Sequence, residues 1–402
     1  MKFPHFVCWF EDVHAGIRVA MPLNILDEQL FILGDENGFL HRLRLDSDTA
    51  LNTIPQKSFS AAAPIRTMTF HEGTYHLAIG TTQGELIMLE LNQKQKDITR
   101  LFKGVDRYSY PDESTAVIIQ DIAFVQDKGE SVQLLVSKDV SAKTGDALEF
   151  FLFDKNRKVF KRQNEIEVIL PEIVDTNGVK YASADAMFFD QDTKILYIAG
   201  SNLAIYSADL NNVIKGNSQR VTFQLRSIIP PNTQKRLQIL KGREGGKERI
   251  TSIALSPDKK YLATGLFYGD IYLLDLKETD LSKVLKAEST TTHYTQVSNL
   301  DFYPNNYTLY LAASSFDHSI SLINMPKALD KMIKKQKKTS GSSVNIDDSV
   351  LNFKLHHNWV HGVQFFENPR GELKMLSISE DGSARIWWAQ EEDLERALKS
   401  DK

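Results

Sequence analysis

The clearest pattern of apolar and polar positions runs from Met375 to Trp388. Met375-Leu376-Ser377-Ile378-Ser379 and Ala384-Arg385-Ile386-Trp387-Trp388 flank the polar stretch Glu380-Asp381-Gly382-Ser383. Alternation at period two puts one set of side chains on one face of a strand, and Asp-Gly tolerates the positive φ of a tight primed turn. The stretch therefore predicts a β-hairpin. Weaker copies of it recur through the chain, at Glu28–Leu45, His76–Leu91, Val132–Asp154, Ile195–Leu210, Ile250–Asp275 and Leu309–Asn324. The third carries an enlarged turn, Ser137 to Asp146, and the fourth has Ala-Gly-Ser-Asn at its turn. Such self-similarity predicts a repeat architecture of small antiparallel sheets. Helical periodicity is confined to Pro326–Lys338 and Glu391–Lys402, and Lys2–Phe10 reads as a strand that precedes the first copy.

Composition narrows this picture. Hydrophobic residues are 42% of the 402 and charged residues 25%, which fits a globular chain with a sizeable core. The 22 Phe, 13 Tyr and 4 Trp suit half-buried pleated surfaces. A net charge of −4 gives no whole-protein attraction to nucleic acid or anionic membrane, so such binding would need a local patch. The single cysteine, Cys8, rules out an intrachain disulfide and a thiolate cluster. It lies in the apolar run Phe6–Phe10, where it is expected to be buried filler. No run reaches the roughly 18 apolar residues of a membrane span, and the first residues lack a secretory pattern. The expectation is a cytoplasmic protein without membrane insertion, a nuclear location being left open.

Candidate chemistry is sparse. Gly242-Arg-Glu-Gly-Gly-Lys247 leads into a strand rather than a helix, so it does not form a phosphate cradle. His356, His357 and His361 have no nearby cysteine or clustered carboxylates to complete a metal site. No cofactor and no metal are expected.

The copy at Ile250–Asp275 carries Ser256-Pro257-Asp258 before Leu262-Ala263-Thr264-Gly265. It resembles the WD-repeat family of β-propellers, in which a strand ends in Ser-Pro-Asp-Gly before Leu-Ala-Ser-Gly. The resemblance implies an all-β fold: a seven-bladed β-propeller of four-stranded antiparallel blades, closed by the N-terminal strand joining the last blade. The blades would lie near 16–60, 61–104, 115–170, 181–241, 249–287, 296–355 and 359–390 plus 2–10. They would form one domain over 1–390, with a mobile basic insert at 326–350 and a short tail at 391–402.

In that family a buried relay links a histidine before the innermost strand, a serine or threonine on the second strand, the turn aspartate and a tryptophan on the third strand. The resemblance carries these roles to His356, Ser379, Asp381 and Trp387. In the sixth unit it carries them to His293, Ser315 and Asp317, with Ile323 in place of tryptophan. The fifth unit has Arg243, Tyr268 and Leu274 at the histidine, aspartate and tryptophan places. Linking a buried indole N–H, imidazole and carboxylate satisfies all three, so the group reads as structural. A catalytic triad would need an exposed serine and an oxyanion pocket, and no motif supplies one. The chain is read as a non-enzyme.

Function is then expected in the loops. Exposed Tyr, Trp and Arg commonly carry binding energy at interfaces. The partner-binding candidates are Arg107, Tyr108, Tyr110, Phe267, Tyr268, His357 and Trp359, and each aromatic could equally fill a gap between blades. The implied role is a non-catalytic protein–protein interaction scaffold, a subunit of a multi-subunit complex that binds one or more proteins. The alternative is a nucleic-acid or anion-binding subunit that uses basic inserts 211–249 and 327–338, with Lys331, Lys334, Lys335, Lys337 and Lys338 as its patch.

Overall fold

Seven antiparallel sheets follow one another along the chain in the computed structural model. It describes residues 5–9, 15–25, 28–44, 56–91, 102–110, 117–140, 147–170, 172–175, 178–181, 184–200, 203–229, 248–277, 285–288, 293–303, 310–336, 344–345, 349–354, 356–368 and 371–388. The first sheet is Ile17–Ile25, Glu28–Asp35, Phe39–Arg44 and Gln56–Ser60. The second is Ile65–His71, His76–Thr81, Glu85–Leu91 and Phe102–Ser109. The third is Val117–Asp127, Ser131–Val140, Leu148–Asp154 and Val159–Arg162. The fourth is Ala186–Asp190, Ile195–Ala199, Ala204–Asp209 and Gln224–Ile228. The fifth opens with Ile250–Leu255, Tyr261–Leu266, Ile271–Asp275 and Leu285–Glu288, and the sixth is Val297–Phe302, Tyr310–Ser315, Ile320–Asn324 and Val350–Phe353. The seventh is Val360–Glu367, Leu373–Ser379 and Ala384–Trp388, with His5–Trp9 along its last edge.

The expectation of uniform four-stranded blades closed by the N-terminal strand is corrected on two counts. The fifth sheet has a fifth strand, Val344–Asn345, which runs parallel to Leu285–Glu288. Two small sheets are added, one pairing Glu167–Ile169 with Arg220–Thr222 and one pairing Glu172–Asp175 with Gly178–Tyr181. Among the described residues, hydrogen bonds also close no sheet. His5–Trp9 pairs antiparallel with Ala384–Trp388, His5 opposite Trp388 and Trp9 opposite Arg385, and it remains an edge of that open sheet. Within each unit, neighbouring sheets share clusters of apolar side chains.

The chain forms two compact units. One is Arg18–Arg44 with Thr53–Leu225, and the other is Met1–Ile17, Leu45–Asn52 and Arg226–Lys402. The unit boundary falls inside the strand Gln224–Ile228. Within the first unit, Ile32, Ile65 and Ile79 share one apolar cluster, while Ala78, Ile119 and Phe151 share the next. Within the second, Ala313 and Leu311 join the fifth and sixth sheets, and Ala312 with Leu322 and Trp387 joins the sixth and seventh. Adjacent residues such as Ala78 and Ile79 thus face opposite clusters, so both faces of the second strands are buried. That explains their continuous apolar runs.

The hairpins turn in one way. Gly38, Gly84, Gly269 and Gly382 occupy equivalent turn positions at positive φ, and His318 does so in the sixth sheet. In the Asp381-Gly382 turn only the glycine is at positive φ, so a primed turn with both residues left-handed is not what forms. At Gly269 a Cβ would sit 2.4 Å from the His293 carbonyl oxygen, which closes that position to any other residue.

The predicted helix over 326–338 forms as Met325–Gln336. It buries Met325, Ala328 and Leu329 in the apolar cluster of the fifth and sixth sheets, then leads to Val344–Asn345 on the fifth sheet. An insert of the sixth repeat therefore covers an edge of the fifth. Lys337, Lys338, Arg243 and the tail 391–402 lie outside the described residues, as do the side chain of Cys8 and residues 339–343 and 346–348 of the insert.

Candidate functional site

The hairpin of the seventh sheet places four polar side chains in a chain of hydrogen bonds. His356, buried just before the first strand, has Nε2 2.8 Å from Ser377 Oγ and Nδ1 3.3 Å from Asp381 Oδ2 and 3.0 Å from Ser383 Oγ. The Trp387 indole N–H donates to Ser377 Oγ at 2.9 Å. Asp381 Oδ2 also accepts the His357 backbone N–H at 2.8 Å, and Oδ1 accepts that of Ser383 at 2.9 Å. Burial pushes the His356 imidazole below its usual range despite the Asp381 carboxylate beside it. A neutral ring with its proton on Nδ1 suits every partner: the indole donates to Ser377, Ser377 to Nε2, and Nδ1–H to the carboxylate. Burial would raise the Asp381 carboxyl, yet the His356 and Ser383 side chains and the His357 N–H hold it well below the carboxylate range.

Ser377 thus bridges histidine and tryptophan, the place expected for Ser379. The physical reason is the period of the strand. Residues two apart share a face, and only their depth distinguishes them. Ser379 Oγ instead donates to the Asn358 carbonyl at 3.1 Å and accepts the Asp381 N–H, so it fastens the turn. Although Ser377, His356 and Asp381 have the order of a nucleophilic triad, Ser377 is fully buried beneath Trp387 and no substrate can reach it.

In the sixth sheet His293 Nδ1 lies 3.2 Å from Asp317 Oδ2 and 3.1 Å from Ser319 Oγ, and the Tyr294 N–H donates to Asp317 at 2.9 Å. Ser315 repeats the turn role of Ser379, donating to the Thr295 carbonyl at 3.3 Å. Ala313 and Ile323 stand where Ser377 and Trp387 stand in the seventh. The fifth sheet moves the carboxylate to the other loop. Glu248, on the incoming segment, accepts the N–H of Tyr268, which occupies the turn position of Asp317 and Asp381. Each of the three sheets therefore ties its incoming loop to its turn through one carboxylate.

Several partner-binding candidates pack at least in part against neighbouring strands. Residues 102–109 form the fourth strand of the second sheet rather than a loop. Arg107, 39% exposed at its side chain, donates to the Ser60 carbonyl at 3.1 Å and lies over the Phe59 ring. Tyr108 and Tyr110 pack edge-on against Phe151, and the Tyr110 hydroxyl donates to Glu149 Oε2 at 2.9 Å. Glu149 also pairs with Lys138 and Arg162. Burial next to that carboxylate pushes the Tyr110 hydroxyl far up, so it remains a donor. Tyr268 is buried, and half-buried Phe267 lies against the Arg249 guanidinium.

The remaining candidates are exposed, and they gather with residues that the sequence does not single out. Trp359 is 42% exposed and stacks on Phe316 with ring centroids 4.7 Å apart and planes at 10°. Tyr294 is 60% exposed with Lys354 Nζ 5.6 Å from its ring, and His357 is exposed beside them in sequence. Tyr294 follows the relay histidine His293 directly, as His357 follows His356, and this shared position was the available signal. The backbone beneath is pinned: the Glu380 N–H donates to the Trp359 carbonyl at 2.9 Å, and the Phe316 N–H to that of Gln296 at 3.1 Å.

Of the basic patch, Lys331 is half-buried, and exposed Lys334 pairs with Asp330 at 2.6 Å. Lys335 lies in the helix without a described side chain. Among the described residues, no three His, Cys, Asp or Glu side chains are grouped to hold a metal ion. No helix among them is long and apolar enough to cross a membrane.

Residues 234–274 match the family described as WD domain, G-beta repeat, a span that includes the first three strands of the fifth sheet almost to their end. No curated protein matches the chain. The matched repeat, the seven successive hairpin-built sheets and the His-Asp fasteners of the last two support the resemblance of this chain to the WD-repeat family of β-propellers.

Proposed function

We propose that the chain is an interaction scaffold, a subunit of a larger assembly, and that the aromatic surface of the sixth and seventh sheets holds a protein partner. The observation that carries this reading is the pair of exposed rings, Trp359 and Tyr294, standing on hydrogen-bonded turns. Rings held in place before contact lose little freedom on binding, and large aromatics are frequent anchors of interfaces. The basic helix supports the nucleic-acid reading less well, because Lys334 is paired and the helix is seated in the core by Met325, Ala328 and Leu329.

Affinity purification from the native source, followed by binding of the recovered partner to variants, tests the proposal. Trp359→Ala and Tyr294→Ala should each weaken that binding by about 2 kcal/mol, with little dependence on salt. Association that survives both substitutions and disappears with added salt would instead point to the lysine-rich insert.

A further inference from the structure

A separate feature lies in the unit of the first four sheets. A cleft of about 500 Å³ crosses the first strands of the second, third and fourth sheets, with Phe70, His71, Asp121, Phe124, Phe188 and Gln191 in its walls. Gln191 bridges the third and fourth sheets by donating to the Phe124 carbonyl. Each of these strands is the edge of its sheet, which leaves every second backbone carbonyl outside the ladder. The cleft therefore combines aromatic walls with hydrogen-bond acceptors.

Its charges are unbalanced. Asp121 Oδ1 accepts the Ile122 N–H at 2.8 Å and the Thr67 hydroxyl at 3.1 Å, while no hydrogen bond to Oδ2 occurs among the described residues. Nor does the Asp121 carboxylate have an ion pair among them; Arg66, whose charge acts on it, donates its guanidinium N–H groups to Gln120 Oε1. Glu72 adds a second carboxylate at the rim. His71 is held toward its neutral form by burial, with Asp127 and Lys155 acting on it in opposite directions, and its Nδ1 is 3.0 Å from the Thr74 hydroxyl. Lys194 sits beyond Gln191, over the Phe189 ring. Burial pushes the Asp121 carboxyl up to about 6, against the opposing pull of the Ile122 N–H, the Thr67 hydroxyl and the Arg66 charge.

We propose that this cleft binds a cationic group on a short apolar stem, an ammonium or a guanidinium, with Asp121 as its counter-ion and the aromatic walls enclosing the stem. A cation would complete the carboxylate, and its stem would cover the phenylalanine rings. The same chemistry is carried by a free diamine or agmatine and by a basic side chain of a bound peptide.

Titration of the full chain at about pH 8, where a carboxyl of this kind is ionised, with agmatine and with a blocked tripeptide centred on arginine, tests the site. Saturable binding is expected, weakened by about tenfold or more in Asp121→Asn and lost as the pH falls through the Asp121 range. Tighter binding of agmatine identifies a free small cation, and tighter binding of the tripeptide identifies a side chain. If Asp121→Asn does not fold, as judged by its circular dichroism, Phe188→Ala takes its place and should weaken binding by about threefold or more. No saturable binding of either probe, or undiminished binding by the folded variant, overturns the proposal.

Discussion

The sixth and seventh sheets bury the same histidine–aspartate pair and finish it differently. In both, the carboxylate accepts the ring nitrogen, a serine hydroxyl and the backbone N–H of the residue after the histidine. Beyond the ring, the seventh continues through Ser377 to the indole of Trp387, while the sixth has Ala313 and Ile323. The carboxylate end is therefore the shared requirement, because it joins two loops by accepting from the buried imidazole and from a backbone N–H at once. The hydroxyl–indole end is an option: with alanine and isoleucine in place of serine and tryptophan, the indole donor and the hydroxyl that accepts from it are absent together. The fifth sheet agrees, since it keeps a loop-bridging carboxylate at Glu248 without an aspartate at the turn.

The largest effect should come from the shared end. Asp381→Ala would leave the His356 ring and the His357 N–H without their acceptor and lower stability by about 3–5 kcal/mol, as read from urea unfolding. Asp317→Ala should cost a similar amount. If either proved nearly neutral, the carboxylate would not be what the two sheets share.

A smaller effect separates them. Ser377→Ala alone strands the Trp387 N–H and His356 Nε2 and should cost about 2 kcal/mol, and Trp387→Phe about 1–2 kcal/mol. The double variant imitates the apolar finish of the sixth sheet, so it should be more stable than the sum of the singles implies by about 1 kcal/mol. Strict additivity would deny that serine and tryptophan act as a unit.

The aspartates of this region also respond to pH with opposite signs. Asp381 is held below the carboxylate range, so its contribution is present above about pH 4 and is lost in acid. Asp301, on the first strand of the sixth sheet, is pushed up to about 7 by burial, although it accepts the N–H groups of Phe365 and Phe302. Its contribution is complete below about pH 4 and is lost as the pH rises through 7. Asp301→Asn should therefore be better tolerated at pH 8 than at pH 5. A difference in urea midpoint from the native chain that is the same at both values would show that Asp301 is ionised throughout. The smallest stability change belongs to the exposed surface: Trp359→Ala, which loses its stack on Phe316 and its edge contact with His361, should shift stability by about 1 kcal/mol in thermal unfolding.

Much of this was written in local pattern. The Asp-Gly turn and the apolar runs beside it place the hairpins, and the resemblance to WD repeats implies the pairing of His356 with Asp381. The choice between Ser377 and Ser379 is not local. Both lie on one face of one strand, and depth beneath Trp387 decides which one meets the ring. Tyr108 and Tyr110 read as loop aromatics because the run from Gly104 lacks regular alternation, whereas pairing with Glu85–Leu91 makes 102–109 a strand and turns both rings toward Phe151.

The sequence by itself determined the repeat, the strand–turn–strand unit and the residues able to join buried loops, since these depend on period, turn chemistry and hydrogen-bonding capacity within a few residues. Tertiary structure alone decided which face of each strand meets which neighbour, where the sixth repeat's insert docks, and that Asp121 stands in a cleft while Trp359 stands in solvent. Those outcomes rest on contacts between residues far apart in the chain, and burial is a property of the packed sheets rather than of any single one.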